Sequence, residues 1–487
     1  MKSTRQATAL TLAGALAFST LAACSSGGSG SDDESSGSGG DGKVTLKVVS
    51  LLPGSEQEAI DAFNAQVEEF EAANPDIDVQ PEEYEWKATT FAPQLAGGTL
   101  PDVFEIPFTD AKTLVENGQL ADLDEQFRTL PYADKFNPAI LEAGTGSDGH
   151  VYAIPAKNVY GVGLHYNREL FESAGLDPDQ PPTTWDEVRE DAKKIADANP
   201  GVAGYMQMSQ NNTGGWQLTV NTFARGGRTQ EVADDGTATS TLTNDGTKEA
   251  LEWLQAMRWE DNSLGSNFLL DWGTMNQAFA AGQVAMYTSG SDVFTSLVQT
   301  NAIDPATYGL AALPLEGDDA GVLTGGTLAA MPADVDEAKK EAAIKWIDFF
   351  YLGKLVDEKR AVADAETLVA NDQPVGTPVL PMFSPEQYQQ NQEWIKDYIN
   401  VPLDQMTSYT DTMFDLPLVG EPSQKTQEIY ALLDPVVQAV LTDENADVDA
   451  LLEQANTAAQ ALLDQGCRPS RRAGPVRPPR PADPAKN

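Results

Sequence analysis

From Lys43 onward the chain alternates two apolar periods, and this alternation narrows the possible folds more than any other feature. Val44, Leu46 and Val48 repeat every second residue, the period of a strand with one buried face. Ile60, Phe63, Val67 and Phe70 then recur at helical spacing, until Asn74-Pro75 stops the helix. Ile77 and Val79 open another strand, Thr90 to Ala96 a helix, and Asp102 to Ile106 a third strand. Strands separated by helices predict an α/β fold with a parallel-rich sheet. Farther along, Tyr152 to Tyr166 reads as a strand, and Thr184 as the N-cap of a helix reaching about Ala198. Helices are expected over Asp245–Glu260, Asn276–Ala281 and Glu337–Phe350, and a strand over Tyr308–Leu313. Paired helices, Gln424–Leu441 and Val448–Leu463, close the body.

The two ends differ from this body. Lys2 and Arg5 precede an apolar run, Ala7 to Leu21, that is too short for an anchor helix and reads as an export signal over residues 1–23. Leu21-Ala22-Ala23-Cys24 resembles a bacterial lipobox, which makes Cys24 the expected lipidation site and new amino terminus. Residues 24–42 are Ser/Gly-rich and are expected to form a flexible linker. From Cys467 to Asn487 Arg and Pro dominate, so residues 467–487 are expected to be a disordered tail. The chain has 31 basic and 74 acidic residues, a formal charge of -43. Nucleic acid is therefore an unsuitable partner, and any membrane attachment is expected through the lipid alone. With two cysteines and two histidines, no disulfide inside the mature domain, no metal site and no cofactor is expected.

Four stretches together resemble the family 1 extracellular solute-binding proteins, the maltose-binding-protein-like group. They are Gln94 to Val103 (QLAGGTLPDV), Asn117 to Leu123 (NGQLADL), Gly149 to Trp185 with its YAIP, HYNRELFESAGL and PPTTW runs, and Phe279 to Met286 (FAAGQVAM). Gly290-Ser291-Asp292 stands where the family often has Gly-x-Trp. The resemblance implies a two-lobed periplasmic-binding-protein-like α/β fold of the class II type, with discontinuous lobes joined by hinge crossings. Lobe 1 is expected over 43–156 and 309–365, and lobe 2 over 160–305 and 372–466. The crossings are expected near Ala156–Val162, near Tyr308–Leu313 and around Arg360–Asp372. It further implies an extracytoplasmic monomer, tethered to the outer face of the cell membrane, that binds a carbohydrate between its lobes and delivers it to an ABC transporter permease.

A sugar is held by planar polar groups on its hydroxyls and aromatic faces on its C–H faces. In an open α/β sheet such groups sit on loops after strand carboxyl ends. This selects Glu56, Thr109, Asp110, Lys157, Asn158, Asp292 and Gly326, with Trp216 in Thr213-Gly214-Gly215-Trp216-Gln217 and Trp86 as the expected stacking rings. Glu56 and Asp110 equally fit helix capping, and Gly325-Gly326 equally fits a turn. Two other readings stay open at this point: an anchored glycosidase acting through a carboxyl pair, for which no marking motif appears, and a receptor for a polyamine. No catalytic residue is assigned.

Overall fold

The computed structural model describes residues 42–233 and 237–466. The expected signal peptide, Cys24, nearly all of the linker, and the tail from Cys467 lie outside the described residues. Among the described residues ten strands form: β1 (Val44–Val49), β2 (Ile77–Glu82), β3 (Phe104–Pro107), β4 (Ala153–Asn167), β5 (Gln230–Val232), β6 (Ala238–Ser240), β7 (Met286–Gly290), β8 (Tyr308–Ala312), β9 (Val322–Ala330) and β10 (Leu418–Gly420).

The expected elements at the start of the body are present. β1 and β2 pair in parallel, Val44 opposite Ile77. Leu46 and Val48 are fully buried beneath the helix Gln57–Ala73, which turns Phe63, Val67 and Phe70 onto them. Val103 bonds across to Lys47 and Val49, carrying the sheet toward β3. β3 then pairs antiparallel with the end of β9.

β4 has 15 residues, about three times an ordinary strand, and at about 3.3 Å per residue it spans roughly 50 Å. Its first half pairs with β9, from Ala153 opposite Ala330 to Gly161 opposite Thr324. Its second half lies between β7 and β8, Leu164 facing Thr288 on one side and Ala311 on the other. β9 returns the same way, its first residues pairing with β10 and its last with β3. β4 and β9 therefore connect two differently packed halves. Burial follows: Ile154, Ala156 and Val159 belong to one apolar core, and Val162, Leu164 and Tyr166 to another.

Two local outcomes differ from the expectation. Residues 358–370 form a helix rather than an extended crossing. Asp357 caps it by accepting from the Arg360 N–H, and Ala361 and Ala365 form its buried face at a spacing only a helix provides. Gly325-Gly326 lies inside β9 rather than in a turn. A Cβ on Gly325 would fall 2.5 Å from the Tyr160 hydroxyl, and one on Gly326 2.6 Å from Phe108 Cζ. The pair is needed because neighbouring rings fill the space a side chain would take.

Candidate functional site

The site is built where β4 breaks its ladder. Ala156 pairs with Thr327 but Val159 with Gly326, so Lys157 and Asn158 form a bulge, with Lys157 in the left-handed region at φ 59°. Bulges re-aim side chains. Here Lys157 points outward to an ion pair with Glu105 at 2.9 Å, while buried Asn158 turns in, accepting from Thr327 Oγ1 at 3.0 Å and donating to Asp292 Oδ2. Asp292 precedes the helix Val293–Asn301, and burial pushes its carboxyl up to about 6.

Two residues beyond the bulge, Tyr160 meets Trp216 edge-on, ring centroids 6.4 Å apart at 75°. The Gly-Gly-Trp run explains how Trp216 arrives there. Gly214 and Gly215 begin the helix Thr213–Phe223, which packs tightly on the helix Thr426–Thr442. Asp434 of that second helix accepts from the N–H groups of Asn212 at 2.7 Å and Gly215 at 3.0 Å, satisfying donors a helix start leaves unpaired. Gln217 locks the same turn by accepting from the Met208 N–H at 2.6 Å.

A further polar group joins Trp86 to the helix Phe108–Glu116 that follows β3. Trp86 Nε1 donates to Asp110 Oδ2 at 3.1 Å, and Gln427 Nε2 donates to Thr109 Oγ1 at 2.9 Å, joining the two halves directly. Burial raises the Asp110 carboxyl to about 7; the Trp86 indole opposes this and the Glu428 charge adds to it. Glu421, accepting from the Tyr430 hydroxyl at 3.0 Å, is raised to about 7 by burial, with Asp110 adding to the shift.

The structure thus brings together Trp86, Thr109 and Asp110 in one group, Asn158 and Asp292 in a second, and sets Trp216 on Tyr160. Lys157 sits beside the second group but faces solvent. Glu56 is exposed at the start of its helix and makes no side-chain capping bond. Gly326 is closed over by Phe108. Tyr160, Glu421, Tyr430 and Gln427 did not emerge from the sequence. Tyr160 had a usable signal, an aromatic residue inside an expected crossing. Glu421 had none, since its segment Pro417–Ser423 has no period. A cavity of about 340 Å³ is lined by Asn158 and Asp292 together with Ser55, Gln66, Asp364 and Tyr388 among others.

Residues 65–357 match the family described as bacterial extracellular solute-binding protein. The sn-glycerol-3-phosphate-binding periplasmic protein UgpB of Salmonella paratyphi A is 26% identical over 300 residues, covering 58% of this chain and 65% of that protein. UgpB of Escherichia coli K12 is 26% identical over 301 residues, with the same shares. The chain spans 65% of the length of these curated relatives. Among solved structures, UgpB from Mycobacterium tuberculosis in complex with glycerophosphocholine superposes with a TM-score of 0.67 at 20% identity, covering 88% of this chain and 100% of that one. The cyclic α-maltosyl-1,6-maltose binding protein from Arthrobacter globiformis gives 0.60 at 22%, covering 87% and 100%. An ABC transporter solute-binding protein from Thermotoga lettingae bound with α-D-tagatose gives 0.67 at 18%, covering 86% and 99%. The fold shared with them is the expected two-lobed α/β fold.

Proposed function

The chain belongs to the bacterial extracellular solute-binding protein family, and from that premise we propose that it is the solute receptor of an ABC importer, holding a carbohydrate between two lobes and passing it to the membrane permease. The supporting observation is the grouping of aromatic rings with half-buried carboxyls where β4 and β9 pass between the halves. Trp216 and Tyr160 offer faces for sugar C–H groups; Asp110, Asn158, Asp292 and Glu421 offer acceptors for hydroxyls. The ligand set is Trp86, Thr109, Asp110, Asn158, Trp216 and Asp292, extended by Tyr160, Glu421 and Tyr430. Glu56, Lys157 and Gly326 are left out of it for the positions described above. In this reading lobe 1 begins with 43–156 and lobe 2 begins at 160. The pairing of β8 with the second half of β4 supports assigning residues 308–321 to lobe 2, so the return crossing falls on β9 rather than near 309. Hinge closure about β4 and β9 is the working motion.

A carbohydrate that binds only the folded protein stabilises it by about 2.7 kcal/mol at a hundredfold excess over Kd, which a thermal melt resolves. Trp216→Ala is expected to weaken that binding by roughly 1 kcal/mol or more, with a reduced tryptophan fluorescence change on titration. Unchanged affinity would return Trp216 to a packing role. Release of product from any sugar would make the protein an enzyme, and stabilisation by a polyamine alone would remove the carbohydrate.

We further propose that the protein works outside the cytoplasmic membrane as a monomer, tethered by lipid on Cys24. No helix among the described residues is long and apolar enough to cross a membrane. Cys24→Ala is therefore expected to move the protein from the membrane to the soluble fraction. A variant that stays with the membrane after fractionation would end the lipid-anchor reading.

A further inference from the structure

We propose, resting on the carbohydrate-receptor reading above, that the ligand is a neutral glycoside whose sugar lies at Tyr160 and Asp292 and whose apolar aglycone fills the cavity lined by Asn158 and Asp292. The cavity's volume of about 340 Å³ falls within the roughly 300–1,000 Å³ of small-molecule sites. Two apolar surfaces border it. Phe63 and Leu380 belong to the large core, whereas Ala365, Val375 and Ile395 belong to a separate small cluster carried by the helices Glu358–Ala370 and Pro385–Ile395 and the chain between them. Ala62 on the helix Gln57–Ala73 and Ala365 both line the cavity, and their short side chains leave the volume that longer ones would take. An apolar group lodged there removes both surfaces from water, which a sugar hydroxyl could not do without losing its own hydration.

Many polar side chains of the wall are already engaged. Four of its charged members pair off, Lys157 with Glu105 at 2.9 Å and Lys354 with Asp364 at 3.1 Å, which leaves Asp292. The amides of Gln387 and Asn391 donate to the carbonyls of Leu355 at 3.1 Å and Lys354 at 2.7 Å, and the hydroxyls of Thr295 and Thr377 bond each other at 3.0 Å. A charged occupant would therefore find no free counter-charge apart from Asp292. That residue ties the cavity to the ring site. Its Oδ2 accepts from Asn158, and a Cβ placed on Gly290 would fall 2.5 Å from its Oδ1 and 2.9 Å from Tyr160 Cγ. The Asp292 carboxyl thus borders the Tyr160 ring as well as the cavity, which is where the linkage between sugar and aglycone would lie.

The test titrates the purified full chain calorimetrically with methyl and hexyl β-D-glucosides and maltosides, and with hexylamine. The hexyl glycosides are expected to bind at least about twentyfold more tightly than the methyl ones, because the longer chain takes further methylenes out of water. In Leu368→Trp, which fills the cavity from the helix Glu358–Ala370, that preference is expected to fall below about threefold while the methyl glycosides bind as before. Leu355→Trp, at another position of the wall, provides a second variant with the same expectation. Equal binding of methyl and hexyl glycosides, or a hexyl preference that survives in both variants, overturns the aglycone site and leaves the carbohydrate receptor intact. Tighter binding of hexylamine than of the hexyl glycosides overturns the neutral ligand. Binding of no glycoside overturns both readings.

Discussion

Gly215→Ala is expected to lower the stability of the protein by about 2–4 kcal/mol, although it adds a single methyl group to a helix and raises helix propensity. A Cβ at this position falls 2.3 Å from the carbonyl oxygen of Tyr430 and 2.5 Å from its Cα. Both are backbone atoms, so no side-chain rotation relieves the clash, and the two helices must separate. Separation also loosens the bonds from Asn212 and Gly215 to Asp434, which lies on the helix that would move. Gly420→Ala is the control, because a Cβ there meets nothing within 4 Å. Chemical denaturation of both variants decides the matter. A loss under 1 kcal/mol for Gly215→Ala would mean the helices repack without cost, and because Trp216 is the next residue, ligand affinity should fall in parallel with stability.

Stability is also expected to decline as pH rises from about 4 to 7. Burial raises the carboxyls of Asp110 and Glu421 to about 7 and that of Asp292 to about 6, against ordinary values of 3.8 for aspartate and 4.5 for glutamate. In that window the folded protein holds protons that the unfolded chain has released, so each unit of rising pH removes stability. The contribution is complete below about 4 and gone above about 7. His165 acts in the other direction. Buried between Tyr308 and the Ser289 carbonyl, it is held down to about 4, so falling pH through 6.5 favours the unfolded chain. Three carboxyls outweigh one imidazole. A displacement of one pKa unit corresponds to about 1.4 kcal/mol, so Glu421→Gln is expected to stabilise the protein at pH 8 by roughly 2 kcal/mol and to flatten its pH profile. Asp110→Asn should behave alike. A wild-type melting temperature that rises steadily from pH 5 to pH 8, with no gain in either variant, would show that these carboxyls remain well solvated.

Much of the fold was legible because its signals are local. The period-two run of Val44, Leu46 and Val48, the helical spacing of Phe63, Val67 and Phe70, and Thr184 three residues before Glu187 each act within one element. Thr184 and Glu187 do form a reciprocal capping box. The Gly-Gly-Trp run was also legible as unusual, though not why. Gly215 answers to Tyr430 and Gly214 to Ser209 and Asp434, and no period in the sequence encodes the approach of residues more than 200 positions away. The crossing expected around Arg360 failed for the opposite reason, since Ala361 and Ala365 already carried a helical spacing.

What the sequence determined by itself is the alternation of strands and helices and the supply of acidic and aromatic side chains, because periodicity and residue type need no partner. Which carboxyls lose their water was decided only by the tertiary structure. Glu421 is positioned because Leu418–Gly420 pairs with Val322–Thr324, and the segment bearing Asp110 meets its opposite wall through a bond from Gln427 to Thr109, 318 residues apart in the chain. Desolvation is a property of everything packed around a group. It comes into being only when β4 and β9 have brought the two halves face to face.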